Sequence, residues 1–382
     1  MRWLTAAVAA AALGCVAMGW VPPAEAWDAV RAASAALWFL LALLILSLLV
    51  GKSGFFDWAA IACARASGGD PRKLFRNLFL LGAAVTAALS LDTTAVLLTP
   101  IVLAMTKRLK LDAAPFVVMV AFVANVGSLL LPVSNLTNLL AADITRLSFG
   151  AFAARMALPQ VVALGVCYAA LRIALPLPVA GASELPAAEI PNRGYFRACV
   201  AVLAAVTIGY FVAPPLGVPP YAIAFAGAAI LAVWGVAAGV VGVRAVRELP
   251  LGVFPFAIGL FVLVHACEPW LVPAGARFAS SIGAAAAGTA VASNVVNNLP
   301  AALLAKSVLV AAHAPPPVVL GALLGADIGP MVTPLGSLAT ILVLSVARQA
   351  GVRVPLPRLL VLGVLATPAI LAAATLALWM IG

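Results

Sequence analysis

Apolar runs of ~17 to 25 residues recur along the chain without the two-residue alternation of barrel strands, and each suits a helix crossing ~30 Å of hydrocarbon. The pattern predicts spans at 4–20, 33–51, 153–177, 198–214, 220–242, 250–267 and 357–381. Two longer stretches, 114–141 and 317–346, turn polar and rich in Gly and Pro midway. They read as broken helices, with Gly127 and Pro132 permitting the first break and Gly329 and Pro334 the second. Segments 77–106 and 279–312 are too short for two crossings and a turn, and read as re-entrant hairpins. Asp92-Thr93-Thr94 is expected at the first tip and Asn294 to Asn298 at the second. The fold class is an all-α polytopic membrane protein of about nine full spans and two hairpins.

The polar residues at these interruptions are written twice at a constant spacing of 202. Asp92 pairs with Asn294, Asn125 with Asp327, Gly127 with Gly329, Pro132 with Pro334, Asn135 with Ser337 and Asn138 with Thr340. Matching interruptions in two hydrophobic halves predict a transporter built from repeats, with its site where the broken segments meet. The first repeat is read at 1–180, a linker and connecting span at 181–219, and the second repeat at 220–382, the polar run 181–197 being the most linker-like.

Charge orients these spans. The chain is 65% hydrophobic and 9% charged, which excludes a soluble globule, and its net charge of +10 lies between the spans, with no basic domain for nucleic acid. Basic clusters at Arg65, Arg72, Lys73 and Arg76 and at Lys107, Arg108 and Lys110 flank the first hairpin. Placing both in the cytoplasm makes that hairpin enter from inside and the second from outside, so the repeats have opposite topology. The N-terminus is then cytoplasmic and the C-terminus external, with 17 of the 22 Lys and Arg inside. Residues 1–26 also read as a signal peptide, and in either case residue 27 begins outside. The stretch 53–66 reads as an amphipathic interfacial helix.

The candidate site is Asp92, Thr93, Thr94, Asn125, Ser134, Asn135, Thr137, Asn138, Asn294, Asn297, Asn298, Asp327, Thr333, Ser337 and Thr340, with Ser128 beside them. Amides and hydroxyls both donate and accept, which suits a small hydroxylated or oxyanionic solute, inorganic or organic. Asp92 and Asp327 are the only carboxylates well inside the predicted spans and hairpins. Keeping one ionised at the centre of a membrane helix costs ~2.5 kcal/mol or more, so each needs a cation or a proton and is a candidate for coupling to proton or sodium, the broken helices offering sodium a place. The alternative is that these residues only cap the breaks. Five scattered cysteines and the lone His265 and His313 suggest neither disulfides nor a metal site, no cofactor is called for, and no phosphate loop or nucleophile triad supports an enzyme.

The run Lys52 to Ala60, the segment Asp92 to Pro100, Leu131-Pro132-Val133-Ser134-Asn135-Leu136-Thr137-Asn138, Asn297-Asn298-Leu299-Pro300 and Gly329 to Thr340 resemble the bacterial arsenite permeases, the ArsB family of the ion transporter superfamily. The resemblance implies a secondary transporter of the bacterial inner (cytoplasmic) membrane that expels arsenite or antimonite in exchange for protons, sometimes joined by a separate ATPase subunit or as a homo-oligomer. It also implies opposed hairpins that move with a transport domain against a scaffold. The tip Leu91-Asp92-Thr93-Thr94 departs from the family pattern. Sodium- or proton-coupled transport of dicarboxylates or other anions, and sodium/proton antiport, remain as alternatives.

Overall fold

The structure, a computed structural model, describes residues 2–177, 190–249 and 251–381, and all regular structure in them is helical. The chain begins with α1 (Arg2–Ala17), the short α2 (Pro23–Ala32), α3 (Ser34–Lys52) and α4 (Phe55–Ala66), the last a helix within the stretch 53–66. Asp70 starts the first hairpin by accepting the Arg72 amide, with Pro71 in the first helical position. That hairpin ascends through α5 (Pro71–Ala88) and returns through α6 (Leu91–Thr93), a π-helical turn (Thr94–Leu98) and α7 (Thr99–Arg108). The first broken helix is α8 (Ala114–Val126) and α9 (Leu136–Thr145), followed by α10 (Phe149–Ala174). Then come α11 (Arg193–Val212), α12 (Pro220–Ala237) and α13 (Val253–Gly275). The second hairpin is α14 (Ile282–Val296) and α15 (Asn298–Ala311), the second broken helix α16 (Pro316–Ile328) and α17 (Leu338–Gln349), and α18 (Leu356–Ile381) closes the chain. Residues 181–189 of the expected linker lie outside the described residues.

Among the described residues six helices, α3, α10, α11, α12, α13 and α18, are long and apolar enough to cross a membrane. Shorter apolar pieces include α8 from the first broken helix and α16 and α17 from the second, and α8 and α16 start and stop 202 residues apart. Two expectations need correction. α13 runs past 267 to Gly275, which brings Glu268 inside the same helix as His265. In the first hairpin the turn falls at Leu89–Ser90, so Asp92-Thr93-Thr94 opens the returning arm instead of forming the tip. The cause is Ser90, whose hydroxyl accepts the Thr93 amide and restarts the helix early. The second hairpin turns at Asn297, and the counterpart of Asn297 in the first is Ala95, inside the π-helical turn.

Packing follows the repeat. α5 lies on α8 and α14 on α16; α7 lies on α17 and α15 on α9; α10 meets α18, α1 meets α13 and α3 meets α12. Each hairpin thus rests on the front half of its own broken helix and the back half of the other. A core of Phe75, Phe116, Met119 and Phe152 joins the hairpins, broken helices, α10 and α18, while Phe39, Tyr195, Tyr210 and Leu231 tie α3 to α11 and α12.

The second pairing is the closer one. Gly321, Gly325 and Gly329, four residues apart on α16 and its end, face Ile282, Ala286 and Ala290 of α14. A Cβ on Gly325 would stand 2.2 Å from the Ala286 carbonyl oxygen, and one on Gly329 2.4 Å from Ala290 Cα. Small residues at this spacing let membrane helix backbones touch. α8 carries Met119 and Val123 at the matching places, and its close neighbour Gly82 would set a Cβ 2.7 Å from Val123 Cγ1, a side-chain atom that can yield.

Candidate functional site

α8 abuts α17 and α16 abuts α9, so the front half of each broken helix ends against the back half of the other. At this crossing Asp327, 1% exposed, reaches from the last turn of α16 into the first break. Asn135 Nδ2 and Thr137 Oγ1 donate to its Oδ1 at 2.9 and 2.6 Å. Ser128 Oγ stands 3.3 Å from Oδ2 and 2.7 Å from the Asn125 carbonyl, so its one proton serves either. The Asn135 Oδ1 accepts the Thr137 amide as the cap of α9, which fixes Nδ2 toward Asp327. Asn125 reaches the other way, donating to Thr340 Oγ1 at 3.2 Å, while its Oδ1 is buried without a partner. Asn138 Nδ2 donates to the carbonyls of Ser128 (2.6 Å) and Leu131 (2.8 Å), closing the broken backbone where lipid has nothing to offer it.

The second hairpin tip is stitched to the second break. Asn294 Nδ2 donates to the Gly329 carbonyl at 2.7 Å and its Oδ1 accepts the Thr333 amide at 2.9 Å. Asn297 Nδ2 donates to the Leu335 carbonyl at 2.8 Å, and the Asn298 amide donates to the Gly336 carbonyl at 2.8 Å. Asn297 sits at φ 80°, ψ 158°, a region essentially reserved for glycine that costs an asparagine ~1–3 kcal/mol. Asn297 Oδ1, Thr333 Oγ1 and Ser337 Oγ are buried without partners, while the nearby Val295 and Leu335 side chains are exposed.

The first hairpin satisfies itself. Thr93 Oγ1 lies 2.7 Å from Ser47 Oγ and 2.9 Å from Ser90 Oγ, Thr94 Oγ1 lies 2.7 Å from Thr86 Oγ1, and Ser134 Oγ donates to the Ala87 carbonyl at 2.8 Å. Asp92 differs from all of these: among the described residues no hydrogen bond holds its carboxylate, which lines a cavity beside Ser47 and Thr93. Among the described residues no hydrogen bond joins Asp92 to Asp327. Glycine and proline act otherwise than expected. Gly127 and Gly329 have ordinary φ values of −70° and −50°, and what demands glycine is space, a Cβ on Gly127 falling 2.6 Å from the Val123 carbonyl. Pro132 opens a 3-10 turn over Pro132–Ser134, whereas in the second break Gly329–Met331 forms that turn and Pro334 lies beyond it.

The sequence profile of the family of arsenical pump membrane proteins, ArsB, matches residues 6–381. The chain belongs to this family. It is 33% identical to the arsenical pump membrane protein of Escherichia coli over 371 residues, covering 91% of this chain and 85% of that one. The corresponding protein of Yersinia enterocolitica is 33% identical over 379 residues, covering 92% and 87%. The fold resembles the crystal structure of the Alcanivorax borkumensis YdaH transporter, a protein of unusual topology, with a TM-score of 0.56 at 16% identity over 88% of this chain and 84% of that one. This is an ArsB-type, multi-pass membrane transporter.

Several groups that serve this transporter's site escaped the sequence. Gln160, the one side-chain amide of α10 and buried there, donates to the Val126 carbonyl at 2.8 Å and seals the end of α8. Ser47, Thr86 and Ser90 anchor the first hairpin. Gln160 had a signal, being a lone amide in a long apolar run; isolated Ser and Thr do not, since such residues satisfy themselves on their own helix.

Proposed function

We propose that this ArsB-type transporter expels arsenite or antimonite from the cytoplasm in exchange for protons. The observation that carries the reading is the crossing of the breaks, where neutral amides and hydroxyls surround Asp327 and others stand buried and unpartnered. Arsenous acid is neutral near pH 7 and carries three hydroxyls. Asn297 Oδ1, Thr333 Oγ1 and Ser337 Oγ at the second tip, with Asn125 Oδ1 at the crossing, suit such a solute without a fixed countercharge. Asp327, engaged by Asn135 and Thr137, shapes the crossing. Asp92, with no protein partner, is assigned the coupling proton.

The opposed orientation of the repeats belongs to the same proposal. Long-range polar links support it, because each joins residues assigned to the same side. Lys52 meets Glu248 at 2.7 Å and the Tyr195 hydroxyl donates to the Leu49 carbonyl at 3.1 Å on the cytoplasmic side. Lys306 meets Asp143 at 3.0 Å and His265 meets Glu25 at 3.4 Å on the outer side.

Everted membrane vesicles test the reading. Arsenite accumulation that needs a proton gradient and ignores sodium is expected. Accumulation driven by sodium, or a labelled dicarboxylate moved in place of arsenite, would overturn it.

A further inference from the structure

The cavity that Asp92 faces encloses about 100 Å3 between α3, the returning arm of the first hairpin, α17 and the 3-10 segment Val243–Glu248 that precedes α13. Its walls are largely apolar, with Leu44, Leu97 and Leu342 among them. Its polar lining is Ser47, Thr93, Asp92 and Glu248, and the two hydroxyls are already bonded to each other. Two carboxyl groups are therefore the groups in this cavity left to exchange a proton. Asp92 is largely buried; Glu248 lies at the surface with its side chain 51% exposed. Glu248 Oε1 accepts from Lys52 Nζ at 2.7 Å, and Lys52 ends the helix that carries Ser47. An ion pair this exposed is weak and opens readily. Arg244 and Arg247 of the same segment are exposed and do not line the cavity.

We propose that Glu248, held by Lys52 over the mouth of this cavity, is the relay through which Asp92 exchanges its proton with the cytoplasm. The inference rests on the proton-exchange reading above and adds its inner route. The proton leaves the Asp92 carboxyl, crosses the cavity to the Glu248 carboxylate, and passes from there to cytoplasmic solvent, leaving both groups ionised. Lys52 is a positioning residue: it returns Glu248 to the mouth after each release.

Two assays on the full chain in proteoliposomes test this. One is arsenite accumulation driven by a proton gradient; the other is exchange of labelled for unlabelled arsenite with no gradient, which needs substrate binding and reorientation but no net proton movement. E248Q is expected to lose the driven accumulation and keep the exchange, and E248D to restore the drive. K52Q is expected to weaken the drive and K52R to retain it. E248Q driving accumulation as the wild type does, or losing drive and exchange together, overturns the relay. A wild-type protein indifferent to the proton gradient overturns the proton-exchange reading instead.

Discussion

Asp327 and Asp92 sit in the two halves of one repeated design, and their surroundings are opposite. Asp327 ends the front half of the second broken helix and is gripped by side chains from the first break. Asp92 opens the returning arm of the first hairpin, touches no donor, and looks into a cavity. The hairpins differ in parallel: the second is locked to its broken helix by a glycine stripe and by Asn294 and Asn297, whereas the first packs on a broken helix that carries Met119 and Val123 at the first two stripe positions. A repeat therefore fixes where helices break without fixing what each break does. One carboxylate is built into the architecture and the other is left free to react.

The sharpest way to break this contrast is to remove each carboxylate. D327A strands the Asn135 amide and Thr137 hydroxyl, at ~1–3 kcal/mol for each buried donor left unmade. It is expected to lower the unfolding temperature in detergent and stop arsenite transport, whereas D92A stops driven transport with little change in unfolding. Equal unfolding shifts would erase the distinction. Next in size is the stripe. G325A drives a Cβ onto backbone and should cost ~1–3 kcal/mol as overpacking does, while G82A meets only the Val123 side chain and should cost less, as thermal unfolding of the two variants would read out.

A smaller effect separates strain from binding at the second tip. N297G relieves a backbone cost of ~1–3 kcal/mol and gives up one hydrogen bond to Leu335 worth ~0.5–1.5 kcal/mol. Stability is expected to hold or rise while the arsenite concentration for half-maximal transport increases. Unchanged concentration dependence would remove Asn297 from the site. The smallest change is S134A, which loses the bond to the Ala87 carbonyl; about 0.5–1.5 kcal/mol of stability should go, with transport retained.

Much of this architecture is legible in the sequence because membrane helices must break where polar residues can mend the backbone, and Asn125 to Asn138 and Asp327 to Thr340 announce that directly. The spacing of 202 carried over to both ends of the front halves, α8 and α16, and to the starts of the back halves, α9 and α17. The position of the first turn was not legible, because Asp92-Thr93-Thr94 aligns with Asn294 to Val296 while one serine cap at Ser90 moves the bend. Nor was the partner of Asp327: sequence symmetry matches it with Asn125, but the crossing hands it to Asn135 and Thr137, which only packing reveals. Glu248 was invisible for the same reason, being a surface acid until the fold sets it over the cavity of Asp92.

The most direct test of the division between the two aspartates is made on D92N in proteoliposomes, comparing arsenite exchange at zero gradient with accumulation under a proton gradient. The account predicts that exchange survives and accumulation is lost. Accumulation that still follows the proton gradient in D92N would contradict it.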